Sequence, residues 1–306
     1  MRTLAITGEQ TMNRTDIYSR VTNRIIADLE RGVRPWLRPW TAAHTDGRIN
    51  LPLRSSGVPY RGINVLLLWG EALDRGYQSN TWLTFKQAQE LKAHVRKGER
   101  GSTVVYADRF TKTEQDANGN DVEHEIPFLK SYTVFNAEQV DDLPERFYVR
   151  PPSRPRLALL EESERFFSAT RAMFRHGGNL AYYSPSADFI QLPTPEAFKD
   201  AESYAATKAH ELVHWTKHET RLKREFGAKR FGDSGYAREE LVAEVGAAFL
   251  CASLGVTVEP REDHASYVSH WLEILKEDKR AIFSAAAHAQ RSAEFLASLQ
   301  TPTAPS

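Results

Sequence analysis

The stretch His210-Glu211-Leu212-Val213-His214 holds three groups that can act together on a metal ion. Two histidines four residues apart lie one above the other on a helix face, so both imidazoles reach one ion. The glutamate between them is then placed to take a proton from a metal-bound water, which a zinc ion acidifies towards neutrality for attack on a carbonyl. Glu211 is therefore the candidate catalytic base, and His210 and His214 are candidate ligands. A five-residue pattern also arises by coincidence, so its weight comes from its setting: a segment that reads as a helix, directly after a hairpin pattern.

A catalytic zinc takes three protein ligands and leaves one position open. Downstream of Tyr236 a second helical segment carries Glu240 and Glu244 at i and i+4. Glu244 is flanked by Val242, Ala243, Val245 and Gly246, a setting in which an unpaired carboxylate is costly and coordination offsets the cost. It is the preferred third ligand, with Glu240 in a supporting position or as the alternative. His218 repeats the spacing but lacks the glycine of the longer three-histidine motif, so it reads as a surface or supporting residue. Cys251 reads as a small buried residue, and nothing in their spacing ties His264 or His270 to the motif. The metal is a divalent ion, zinc by default and manganese as the other option, because the affinity order does not choose the metal in a cell.

These residues need a frame. In the second half the expected elements are a helix at 159–176, a hairpin of 181–184 with 188–192 around Ser-Pro-Ser, and helices at 196–218, 236–254, 262–276 and 277–299. In the first half Ile17, Val21, Ile25 and Leu29 recur at helical spacing before Gly32, after a loose tail over 1–13. Helices follow at 63–74 and 86–94, the latter with Thr84 as N-cap. Strands are expected after Lys97 and over 127–136, separated by a turn at Asn118-Gly119-Asn120. Four prolines between Pro144 and Pro155 mark a linker. The reading is α+β with two domains: residues 14–150, mixed α/β, and residues 156–299, mainly helical with a small sheet.

Length and composition agree with this division. A chain of 306 residues with 41% hydrophobic and 26% charged residues has the make-up of a folded protein of two ordinary domains. Its single cysteine excludes an intrachain disulfide and a thiolate zinc cluster, and fits a reducing, cytoplasmic setting. The apolar runs, such as Val65 to Trp69, fall far short of the roughly 20 residues of a membrane span, and the N-terminus has no signal-peptide pattern. The formal net charge of zero conceals an asymmetry: residues 1–100 hold 16 Lys+Arg against 9 Asp+Glu, and residues 101–150 hold 5 against 10. A basic first third points to an anionic partner. Arg34, Trp36, Arg38 and Trp40 alternate cations with aromatics, the combination that grips single-stranded nucleic acid by neutralising phosphates and stacking bases. Tryptophans also fill cores, as Trp69 does within its apolar run, and for Trp36 and Trp40 both readings stand.

Several of these segments resemble one family. The segments from Leu29 to Trp40, Pro59 to Trp69, Trp82 to Ala88 and Val95 to Gly101 are similar to the N-terminal domain of ArdC antirestriction proteins, which also occurs in TraC-type plasmid primases. Ala209 to Thr216, Glu239 to Leu250 and the stretch from Tyr267 to Phe283 resemble the zincin-like domain of that family. The resemblance runs over residues 14–299 in unbroken order. It implies a protein of a conjugative plasmid or related element that protects incoming DNA from restriction, binding single-stranded DNA without sequence preference through its first domain and a divalent metal through its second. Arg61, Lys86, Arg96 and Lys97, which lie in the matching segments, join Arg34, Trp36, Arg38 and Trp40 as candidate DNA contacts. A host restriction component is the candidate peptide substrate. The alternatives are a metalloprotease without a nucleic-acid role, and a DNA-coating protein whose metal site is structural.

Overall fold

The structure, a computed structural model, describes residues 9–36, 50–115, 121–148, 155–227, 234–257 and 267–300. In the first half, α1 (Glu9–Glu30) is followed by β1 (Leu53–Arg54), α2 (Ile63–Arg75), β2 (Thr81–Leu83), α3 (Phe85–Glu90), β3 (His94–Val95), β4 (Ser102–Gln115), β5 (Asp121–Asn136) and β6 (Val140–Asp141). The periodic residues Ile17, Val21, Ile25 and Leu29 are all buried, as an amphipathic face requires. Yet α1 already includes Glu9, inside the expected tail, because hydrophobic spacing marks a buried face and says little about where a helix begins. Thr84 caps α3: its hydroxyl accepts from the Gln87 amide while the Gln87 side chain accepts from the Thr84 amide. That helix stops at Glu90, earlier than expected, and His94–Val95 pairs with β6 instead. The main sheet runs β1-β2-β5-β4, and β4 and β5 form one long antiparallel ribbon.

The second half contains α4 (Arg156–Ala169), β7 (Met173–His176), β8 (Tyr182–Ser184), β9 (Phe189–Leu192), α5 (Ala201–Trp215), α6 (Ser234–Leu254), α7 (Val268–Glu277) and α8 (Ala281–Ser298). β8 and β9 form the expected hairpin, and β7 adds in parallel to β9, giving the order β7-β9-β8. β7 occupies residues expected to end the first helix of this half. The break falls at Arg171, which adopts a left-handed φ of 59°, a turn that no glycine or proline announces.

The two halves share one hydrophobic core. Tyr18 of α1 meets Phe283 of α8 at 4.6 Å, Trp69 of α2 meets Phe249 of α6 at 5.8 Å, and Trp36 meets Trp271 of α7 at 6.1 Å, all edge to face. Polar ties run beside them: Thr22 donates to the Lys279 carbonyl at 2.7 Å, and the Gly62 amide donates to Gln290 at 3.0 Å. A smaller cluster of Leu83, Ala88, Ala93, Ala137, Val140 and Leu143 lies beneath α3 and β3. Two domains of ordinary size were expected from chain length, and their apolar faces meet. The apolar faces of α1 and α2 are buried against α6, α7 and α8.

Candidate metal centre

α5 is capped by Asp200, whose carboxylate accepts from the Ser203 amide at 2.8 Å, and from Ala205 onward it passes through the interior. α6 runs beside it and is buried nearly all round. Where they meet, Gly246 lets α6 approach: a Cβ there would lie 2.9 Å from both methyl groups of Val213. The approach brings side chains of both helices together. His210, Glu211, His214, Glu239, Glu240 and Glu244 are all buried.

His210 and His214 direct their Nε2 atoms to within 3.1 Å of each other. Glu240 faces both, with one oxygen 3.3 Å from His214 Nε2 and the other 3.5 Å from His210 Nε2. One potential ligand atom from each of His210, His214 and Glu240 lies within 4.8 Å of the others, room for a single cation among them. Two imidazoles and one carboxylate are the donor set of a catalytic zinc site and also suit other divalent ions. Glu244, the glutamate preferred from sequence, stands one turn beyond Glu240 and is not in this group; its Oε1 is 3.8 Å from Arg34 Nη1. Burial does not separate the two, since Glu240 is 6% and Glu244 4% exposed on a helix that is buried nearly all round. A guanidinium from the first half of the chain thus stands within ion-pair distance of Glu244.

The outer side of His214 is held as firmly as the inner. Its Nδ1 is 3.0 Å from Glu239, and since a carboxylate only accepts, Nδ1 is the donor and Nε2 is left to face a metal. Arg224, its side chain 1% exposed, donates to both Glu239 oxygens at 2.8 Å, to the Val213 carbonyl at 2.9 Å, and to Thr216 and Ser292 at 3.1 and 3.0 Å. Burial alone would raise the Glu239 carboxyl, but Arg224 and His214 outweigh it and hold the pKa down at about 2. Burial likewise works against the imidazolium of His214, yet Glu240 and Glu239 prevail and bring it up to about 9. Glu240 is held far below the usual carboxylate range, its burial outweighed by His214 and His210. All three shifts express one preference, for positive charge between the histidines and Glu240, and a divalent cation meets it by displacing protons. Tyr236, one turn before Glu240, hydrogen-bonds to that carboxylate and to Tyr267, and its phenol is pushed upward by burial first and by Glu240 second.

Sequence reasoning missed Glu239 and Arg224. The adjacent glutamates at 239 and 240 were a signal, because neighbours on a helix point about 100° apart and can address opposite sides of one imidazole. Nothing in the sequence marked Arg224. Cys251 is buried as expected, and burial pushes its thiol up to about 12. His218 bonds to Thr220 and His270 is exposed, while His264 lies outside the described residues.

The proposed DNA contacts scatter. Trp36 is fully buried against Trp271, so its ring is not available to a base, and the Arg34 side chain is 16% exposed beside Glu244. Of the two readings open for Trp36 the structure gives the core one, and Arg34 stands half-buried beside Glu244. Arg38 and Trp40 lie outside the described residues. Arg61 pairs with Glu294 of α8. Lys86, Arg96 and Lys97 are exposed around α3 and β3, with Arg96 paired to Glu99 at 2.8 Å and to Asp141 at 3.4 Å. Among the described residues no helix is long and apolar enough to cross a membrane.

Comparison with known proteins follows the same division. Residues 161–288 match the family of zincin-like metallopeptidases, and residues 15–135 match the N-terminal domain of anti-restriction factor ArdC. The fold and site thus define an α+β protein with an ArdC-type N-terminal domain and a zincin-like metallopeptidase domain. The metal-free crystal structure of the antirestriction ArdC protein from R388 plasmid superposes with a TM-score of 0.77 at 46% identity, covering 93% of this chain and 97% of that one. Its Mn(II)-bound structure gives 0.74 at 44% identity, covering 92% and 97%. The chain is 42% identical to the uncharacterized protein y4eC of Sinorhizobium fredii, over 94% of its own length and 93% of the relative's. It is 38% identical to DNA primase TraC of Escherichia coli, over 91% of this chain but 27% of the primase. The chain belongs to the ArdC antirestriction protein family.

Proposed function

We propose that this protein protects incoming DNA from restriction, holding single-stranded DNA on its N-terminal domain and hydrolysing a peptide bond at a divalent metal centre formed by His210, His214 and Glu240. The observation that carries the metal centre is the convergence of these three buried donors, with His214 locked from behind by Glu239 and Arg224. A divalent cation there supplies Lewis acidity and acidifies water. The chain's own residues do the rest. Glu211, buried on α5 between the two histidines, serves as proton acceptor and later returns the proton to the leaving amine. Glu239 keeps His214 in the tautomer that presents Nε2, and Tyr236 steadies Glu240. The Mn(II)-bound ArdC relative supports a divalent ion, and zinc and manganese both suit the donors.

A Glu211→Gln variant tests the hydrolytic part. It is expected to keep the fold and a full complement of metal while losing protection of DNA in a transfer assay between cells that do and do not restrict. Undiminished protection by a variant shown to bind metal would exclude hydrolysis as the means of protection. It would leave DNA coating with a structural metal.

A further inference from the structure

With Trp36 in the core and Arg34 beside Glu244, a nucleic acid strand on the first domain needs another surface. In the β4–β5 ribbon Val104 stands opposite Tyr132 and Tyr106 opposite Lys130, so Tyr106, Lys130 and Tyr132 share one face of the sheet. That face is rooted in the core by Val104 and Val134, both fully buried. One step outward its character changes: Tyr132 is 38% and Tyr106 is 49% exposed, and Lys130 is exposed beside them. Tyr60 lies beneath, its phenol pushed upward by burial first and by the nearby Tyr132 second. The exposed Arg54 sits over the Tyr60 ring at 5.5 Å. Asn64 of α2 clamps the ribbon at this height, donating to the Val105 carbonyl and accepting from its amide, both at 2.8 Å. None of residues 102, 104, 106, 130, 132 and 134 is acidic, and the next position outward on this face of β4, opposite Phe128, is Asp108.

Rings on a rigid sheet flanked by cations are the elements with which sheet proteins hold unpaired bases: the π-faces stack and the cations meet phosphates. Diagonal neighbours such as Tyr106 and Tyr132 stand about 7–8 Å apart at the backbone, so each ring can carry its own base. A duplex keeps its bases stacked inside and offers such rings nothing. The geometry points to this face of the ribbon, Tyr106 and Tyr132 with Lys130 and Arg54, as the platform on which a single DNA strand stacks. The assignment rests on the single-strand reading given above and locates it.

The test is fluorescence anisotropy of a labelled oligothymidylate titrated with the full chain. Wild type, Tyr106→Ala/Tyr132→Ala, Tyr106→Phe/Tyr132→Phe and Arg54→Gln/Lys130→Gln are compared across a range of salt concentrations. The alanine pair is expected to weaken binding about tenfold or more, and the phenylalanine pair, which keeps both π-faces, to stay within about threefold of wild type. The glutamine pair, which removes two cations, should lower the slope of log affinity against log salt by about 1.4. Its side chains are exposed, so it reports on binding even if the alanine pair folds poorly. Unchanged affinity and salt slope in both the alanine and glutamine pairs, with wild type binding, would overturn the platform and leave the single-strand reading intact. Failure of wild type to bind any oligonucleotide would overturn both, and tighter binding to the matching duplex would refute base stacking here.

Discussion

Replacing Glu239 by Gln keeps the volume of the side chain and removes its charge, which makes it a direct probe of how His214 is held. The Glu239 side chain is 7% exposed and that of Arg224 is 1% exposed, so neither can turn to solvent. Breaking a buried pair by removing one partner costs about 3–5 kcal/mol, because the remaining charge stays buried. Glutamine keeps one acceptor oxygen for the two donors, Arg224 and His214 Nδ1, that Glu239 now serves, which sets the loss near the lower end, about 3 kcal/mol. Loss of the carboxylate behind a metal-binding imidazole also lowers metal affinity by about 10–100-fold. The assay is urea unfolding of the metal-free protein alongside a competition titration with a chromophoric chelator. Combining Glu239→Gln with Arg224→Met should cost less than the two single changes added together, since the double variant buries no lone charge. A variant with unchanged urea midpoint and unchanged metal affinity refutes the reasoning, because Glu239 would then neither neutralise Arg224 nor orient His214.

Two further predictions follow from the packing around the site. Gly246→Ala places a methyl group 2.9 Å from the Val213 side chain, so it is expected to destabilise the protein by about 1–3 kcal/mol and weaken metal binding, with partial rescue by Val213→Ala; unchanged unfolding and metal titrations would show that the helices have slack. His288 packs on Phe226 at 5.2 Å, and burial first, then Arg291 and Arg224, hold its pKa down at about 4 in spite of Glu239. The unfolded chain takes up that proton near pH 6.5 and the folded one near 4, so this contribution is intact above the window, declines as pH falls through it, and is gone below. Its partial exposure reduces the effect to on the order of 1 kcal/mol. The drop in urea midpoint between pH 7 and pH 5 should shrink in His288→Gln, and an identical drop would contradict the assignment.

What the sequence revealed was local. The i, i+4 histidines, the Thr84 cap and the Ser-Pro-Ser hairpin each depend on residues a few positions apart, and each is legible by spacing alone. The choice between Glu240 and Glu244 was not. Both lie on one face of a helix buried on all sides, so hydrophobic phase carries no direction, and the decision rests on where α5 and Arg34 touch α6. The same holds for Trp36: a tryptophan among prolines and arginines looks like a surface feature until α7 supplies Trp271 as its neighbour. The shared core itself could not be inferred from length, which counts domains without saying whether their apolar faces meet.

The central claim is that His210, His214 and Glu240 hold the metal, and metal stoichiometry and affinity in Glu240→Ala and Glu244→Ala, measured by elemental analysis and chelator competition, test it most directly. Glu240→Ala is expected to remove one of three ligands and with it stoichiometric binding, whereas Glu244→Ala keeps one metal per chain and shows its effect in stability, through the Arg34 charge left beside α6. The opposite pattern, with metal lost from Glu244→Ala and retained by Glu240→Ala, would contradict the account.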